Sequence, residues 1–212
     1  LDMLVKNGSA KNVELGYVTN GTKTPKELLD LWPHFKRVTL NVSIEATGKL
    51  YQYIRGSNTQ TIEQLEQNLH WYDQFDNVKG HFSVAISTYS IFDLQNLADW
   101  IEGVTSNLKQ WKTEIANRTS DSVHWYEKPN QFQVLVVDPP YLNPNNMPPH
   151  IKQRVIDCWD KKYHLLDELR NRMTVTDYSE KQWKLFKQFT NELDKMRGTN
   201  VIDYVPQLEG EF

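Results

Sequence analysis

An α/β fold around a parallel sheet is predicted by three observations. Short apolar runs alternate with segments of helical periodicity, and four of those runs stop abruptly at polar residues. The last run, 132–137, is almost unbroken in its apolarity, as expected for a strand covered on both faces. Right-handed crossovers between such units curl a sheet towards a barrel or a doubly wound arrangement.

The chain opens with LDMLVKNGSAKN, which reads as the closing turns of a helix ended by Gly8. The first strand is 13–19, broken by the turn dipeptide Asn20-Gly21. A helix over 25–35 follows, with Thr24 as N-cap, Pro25 at its first position, Glu27 completing a capping box and Pro33 shortening it. The second strand is 38–44, and a loop carrying Gly48 and Gly56 comes next. Ile62, Leu65, Leu69 and Tyr72 recur at helical spacing and predict a helix over 61–75. The third strand is 82–88. Asp93 is placed to cap a helix that buries Leu94, Leu97 and Ile101.

Between 105 and 130 the pattern weakens. A short helix over NLKQWKTEIANRT and an irregular insertion at SVHWYEKPN precede the fourth strand, 132–137, which ends at Asp138-Pro139-Pro140. Beyond Pro149 two long helices are expected. One spans about 150–172 with Ile151, Val155, Cys158 or Trp159, and 165–169 inward. The other spans 179–196 on Trp183, Phe186, Phe189 and Leu193. The tail has no regular period.

The 212 residues suffice for one or two domains, and the net charge of −3 favours neither nucleic acid nor an anionic membrane. No apolar run approaches the roughly 18 residues of a membrane span. With no signal peptide and a single cysteine, Cys158, a cytoplasmic protein without disulfides is expected. Cys158 itself reads as a buried structural thiol beside Trp159. The scattered histidines give no zinc-type spacing, so no metal site is expected.

In barrel-like folds, chemistry gathers at the carboxyl ends of parallel strands. Here those ends carry Thr19-Asn20, Ser43-Glu45, Ser87-Thr88 and Asp138. Loops after strands are polar anyway, so each pair alone has an ordinary explanation. Ser43 offers a hydroxyl, Glu45 an acceptor for an ammonium group or diol, and Arg55 a planar fork matched to a carboxylate. An internal Glu45–Arg55 ion pair that shapes the loop is the plain alternative. An ordinary barrel enzyme using Glu45 and Asp138 as acid and base is another.

The stretch TLNVSIEATGKLYQYIRG, followed by TIEQLEQNL, resembles the radical S-adenosylmethionine superfamily. YVTNGTKTPKELLDLW, HFSVAISTYSIFDLQNLADWI and LVVDPPYLNPNNMPPHIKQRV are similar to neighbouring strand–helix units of that superfamily. RGTNVIDYVPQLEGEF resembles the end of its twitch-type subgroup. The resemblance implies a partial (β/α)6 barrel, of which residues 1–147 would hold the C-terminal four βα units. Residues 148–212 would form a helical C-terminal extension.

The implied chemistry uses S-adenosylmethionine and a 4Fe-4S cluster held by a Cys-x-x-x-Cys-x-x-Cys loop. Together they generate a 5′-deoxyadenosyl radical that abstracts a substrate hydrogen. Carried over by position, Ser43 meets the ribose or methionine end of the cofactor, Arg55 its carboxylate, and Thr19 and Asn20 the floor beside the cluster. Asp138 meets the adenine edge or merely starts a turn. Glu45 stands where the family has Asp, and Ala46 where it has Gly. The cysteine loop is missing, so the chain is read as an N-terminally truncated piece, inactive alone. A peptide is the favoured substrate, and a flavodoxin or ferredoxin the implied reductant. The contrasting expectation is a complete, non-catalytic α/β module that recruits a peptide or protein partner through its helical tail.

Overall fold

The computed structural model describes residues 1–56, 58–111, 115–116, 130–135, 138–159, 164–175 and 177–212. The chain forms two compact units, each assembled from separated stretches. The first comprises Leu1–Ile44, Gln60–Val84 and Asp99–Phe132. The second comprises Glu45–Thr59, Ala85–Ala98 and Gln133–Phe212.

In the first unit, α1 (Asp2–Lys6) leads into β1 (Glu14–Thr19). A four-residue helix, α2 (Lys26–Leu29), and a 3-10 turn at Trp32–His34 carry the chain to β2 (Arg37–Ser43). The helix expected over 25–35 is thus cut short. Its N-cap is Pro25, not Thr24, whose hydroxyl instead shares a 3.0 Å hydrogen bond with Tyr72. The ring of Pro33 and the missing amide proton there favour the tighter turn.

β1 and β2 are parallel, with Leu15 opposite Val38 and Tyr17 opposite Leu40. β2 and β3 (Val78–Ile86) are also parallel, with Val42 opposite Phe82. β2 is mostly buried, whereas exposed and half-buried residues alternate along β1, the signature of a strand at the sheet margin. Gly80 leaves room for the ring of Trp111: a β-carbon there would lie 2.4 Å from it. Trp32, 1% exposed, gathers Tyr17, Tyr72 and Phe75 at centroid distances of 5.7–6.0 Å.

α4 (Ile62–Tyr72) fulfils its periodic pattern. Ile62, Leu65, Leu69 and Tyr72 are buried, and Thr61 and Gln64 close a capping box. The two-residue strand β4 (Ile115–Ala116) pairs parallel with β5 (Asn130–Leu135), and the strand order is β1-β2-β3-β5-β4. The short helix expected at 107–119 does not form at its described residues 115–116. The rest of that stretch beyond 111, and most of the insertion at 122–130, lie outside the described residues, as do His124 and Tyr163.

The partial (β/α)6 barrel with four successive βα units is overturned. The regular sheet is the three-stranded parallel set β1–β3, and helical segments hold more than half of the described residues. Apolar runs identify strands but not closure. β1 has one strand neighbour, and the order on the far side ends in a two-residue strand rather than another full βα repeat. Closure requires matched, full-length neighbours on every strand.

The second unit contains α3 (Gly48–Arg55), where only a loop was expected. α5 (Leu94–Thr105), of which the part up to Ala98 belongs to this unit, starts after a 3-10 turn at Ser90–Asp93. The single helix expected over 150–172 is two described helices, α6 (Pro149–Asp157) and α7 (His164–Val175). Ile151, Val155 and Trp159 are buried, while Cys158 is exposed, which corrects its reading as a core thiol. The end of α6 turns that position outwards.

α8 (Glu180–Arg197) buries Trp183, Phe186 and Thr190, and closes on Gly198 in the left-handed conformation. Phe186 packs on Tyr89 and Trp183 at 5.0 and 4.9 Å. Tyr89 donates to the Thr190 hydroxyl at 2.7 Å, and that hydroxyl donates to the Phe186 carbonyl at 2.8 Å. The tail, though aperiodic, forms 3-10 turns at Val201–Asp203 and Pro206–Leu208 that bury Val201, Val205 and Leu208. No helix among the described residues is long and apolar enough to cross a membrane.

Candidate functional site

The stretch after β2 builds the site. Ala46 is fully buried, which pins the backbone between Glu45 and the start of α3. Thr47 is the N-cap of α3, and its own side chain makes no capping bond. Instead Asp93 accepts from the Thr47 amide at 2.6 Å and from its hydroxyl at 2.9 Å, and Asn96 donates to the other carboxylate oxygen at 2.8 Å. An acid near a helix N-terminus is favoured by the helix dipole. Burial nevertheless raises the pKa of Asp93, outweighing these hydrogen bonds.

With α3 anchored in this way, Arg55 reaches back to Glu45. Its Nε donates to Oε2 at 2.7 Å and its Nη2 to Oε1 at 2.8 Å, a bidentate pair with both side chains 18% exposed. The guanidinium also lies 5.5 Å from the ring centre of Tyr51, one helical turn earlier.

Glu45 and Arg55 border a cavity of about 380 Å³ with Ser87, Tyr53 and Arg197. Ile54, Ala85, Tyr89, Leu142, Phe189 and Leu193 complete its wall. The size and the mixture of an apolar wall with a few polar groups suit a small-molecule site. Arg197, the last residue of α8, donates to the Tyr53 carbonyl at 2.6 Å. It thereby serves an orphan carbonyl in the last turn of α3. It makes no ion pair with a described residue, so its charge is not cancelled as that of Arg55 is by Glu45.

The Tyr53 hydroxyl donates to Asp194 at 3.1 Å, and Asp194 also accepts from Thr199 and from the Val201 amide. Burial, then the neighbouring Tyr89 and Asp194, push the Tyr53 pKa far upward. Burial pushes Tyr89 up to about 12. Both phenols are therefore neutral donors at ordinary pH.

Of the residues singled out from the sequence, Glu45 and Arg55 meet in this cavity. Thr19, Asn20 and Ser43 belong to the first unit. The Thr19 hydroxyl accepts from the Gly21 amide at 3.1 Å. The Asn20 side chain accepts from the amide and hydroxyl of Thr22. Ser43 ends β2 opposite Ser83. Asp138 is exposed, precedes a cis peptide to Pro139 and does not line the cavity, so it forms no acid–base pair with Glu45 there. Ser87 was visible as a strand end, but Tyr53, Tyr89 and Arg197 were not marked. The nearest signal for Arg197 is its place before Gly198 at a helix end, which says nothing about what it faces.

No protein-family model matches this chain, and no curated protein or solved structure matches it either.

Proposed function

We propose that this chain is the cofactor-binding part of a radical S-adenosylmethionine enzyme, and that the Glu45–Arg55 cavity takes the methionine end of the cofactor. The observation that carries this reading is the bidentate acid–guanidinium pair bordering an apolar-walled cavity. Glu45 presents an acceptor to an ammonium group. Arg197, which makes no ion pair with a described residue, presents donors to a carboxylate beside the Glu45–Arg55 pair. Leu142, Phe189 and Leu193 supply apolar surface for the nucleoside. The reading rests on this local arrangement and on the resemblance of residues 41–56, not on a barrel.

S-adenosylmethionine, when bound beside a reduced cluster, supplies the radical that abstracts hydrogen from a substrate. The cluster does not fit this chain. Three thiolates are needed, and Cys158 is the single cysteine in 212 residues. Within these residues we assign binding and orientation of the cofactor, and no radical step.

Titration of S-adenosylmethionine into the chain by calorimetry tests the reading. Saturable binding is expected, weakened about ten- to hundredfold by Arg55→Ala, the effect of losing charge-assisted hydrogen bonds. Absence of binding, or indifference to that substitution, overturns it.

One observation favours the contrasting reading of a peptide-recruiting module. Leu185, Phe189 and Met196 are exposed and share one face of α8 at spacings of four and seven. Peptide binding that is lost in Leu185→Glu, with no S-adenosylmethionine binding, would favour it.

A further inference from the structure

A larger cavity, of about 640 Å³, lies in the same unit and is lined by Lys49, Gln52, Tyr53, Arg197, Thr199, Asp203 and Tyr204. Lys49, Gln52 and Tyr53 stand at i, i+3 and i+4 on α3 and so share one helix face. The chain from Arg197 to Tyr204 supplies the facing wall. Tyr53 and Tyr204 stack with centroids 4.6 Å apart, giving that wall an aromatic surface.

The charges decide what this cavity takes. Lys49 makes no hydrogen bond or ion pair with a described residue, and Arg197 spends one donor on the neutral Tyr53 carbonyl. Against these two cations stands one lining carboxylate, Asp203. Thr199 already donates its hydroxyl to Asp194, whereas the Gln52 amide has no described partner. Among the lining side chains the surplus is one positive charge, which favours a monoanion, and the Asp194 carboxylate held by Tyr53 and Thr199 behind the wall further disfavours a dianion. A phosphate dianion exceeds that surplus and meets Asp203 at close quarters. A planar carboxylate also matches the guanidinium fork.

We propose that this cavity is a second ligand site, for an organic monocarboxylate with an aromatic or apolar body. Arg197 and Lys49 hold the carboxylate, Gln52 adds a donor, and the body lies against Tyr204. Asp203 accepts from an amide or amine on the same molecule, which makes the C-terminal end of a peptide a suitable class. The site adjoins the Glu45–Arg55 cavity, and the two share Tyr53 and the Arg197 guanidinium.

The test titrates the 212-residue chain with N-benzoylglycine, and in parallel with phenyl phosphate, following amide chemical shifts. N-benzoylglycine is expected to saturate with a dissociation constant below about 1 mM and to weaken as salt is added. Lys49→Ala, at an exposed position that does not border the Glu45–Arg55 cavity, is expected to weaken it about tenfold while S-adenosylmethionine binding is unchanged. Failure to saturate, equal binding by Lys49→Ala, or tighter binding of phenyl phosphate overturns the proposal. Loss of S-adenosylmethionine binding with N-benzoylglycine binding intact would sink the cofactor reading alone.

Discussion

The turn after β1 and the stretch after β2 leave the sheet at equivalent strand ends, yet they spend their polar groups differently. At 19–22 the side-chain oxygens of Thr19 and Asn20 are spent on the turn itself. Thr19 and Asn20 serve the amides of Gly21 and Thr22, and Gln60 and Asn68 donate to the carbonyls of Asn20 and Gly21. At 45–55 a carboxylate and a guanidinium face a cavity, and Asp93 does the work of holding the backbone. Polarity at a strand end thus marks a loop. A binding site needs, in addition, donors and acceptors aimed at empty volume.

Four experiments break or sharpen this contrast, in order of expected effect. Trp32→Ala removes the aromatic hub of the first unit and should cost about 3–5 kcal/mol in urea denaturation. Gly21→Ala attacks the saturated turn. Its φ of +72° disfavours a side chain, and the new β-carbon would lie 2.3 Å from Leu65 Cδ1. A loss of about 1–3 kcal/mol is expected by the same measurement.

Glu45→Gln and Arg55→Gln, made singly and together, should show a coupling of about 1–2 kcal/mol in a double-mutant cycle. A coupling near zero would mean that the two groups are held in place independently of each other.

The smallest effect concerns Asp93, whose folded pKa is raised by burial. The folded state then holds the proton more tightly than the unfolded state. The group's contribution is fully present below the unfolded value of 3.8 and declines as pH rises through the folded pKa. Asp93→Asn removes this titration, so the stability gap between wild type and variant should narrow as pH rises from 3.5 to 7. A gap that widens would contradict the direction of the shift.

How much was legible in the sequence depended on how local the cause was. α4 could be read because its cap, Thr61 with Gln64, and its apolar spacing lie within a dozen residues. α3 could not. It starts and stops at glycines with positive φ, and its N-cap is held by Asp93, 46 residues away. The periodicity over 150–172 looked continuous, yet α6 ends at Asp157 and leaves Cys158 exposed. The Glu45–Arg55 pair was one of two readings that side-chain chemistry left open, and the spacing did not choose between them. Arg197 lies 142 residues beyond Arg55, and no pattern links the two positions.

By itself, the sequence determined the parallel strands and the helix that caps itself, and it left an acid–guanidinium pair ten residues apart as one open alternative. These follow from periodicity and short-range hydrogen bonding, whose partners are close along the chain. Tertiary structure alone decided that the sheet stays a small parallel set and that 48–55 is a helix. It also decided that Arg197 lines two cavities without an ion pair to a described residue. Those outcomes depend on contacts between residues far apart in sequence, and side-chain periodicity carries no record of such distances.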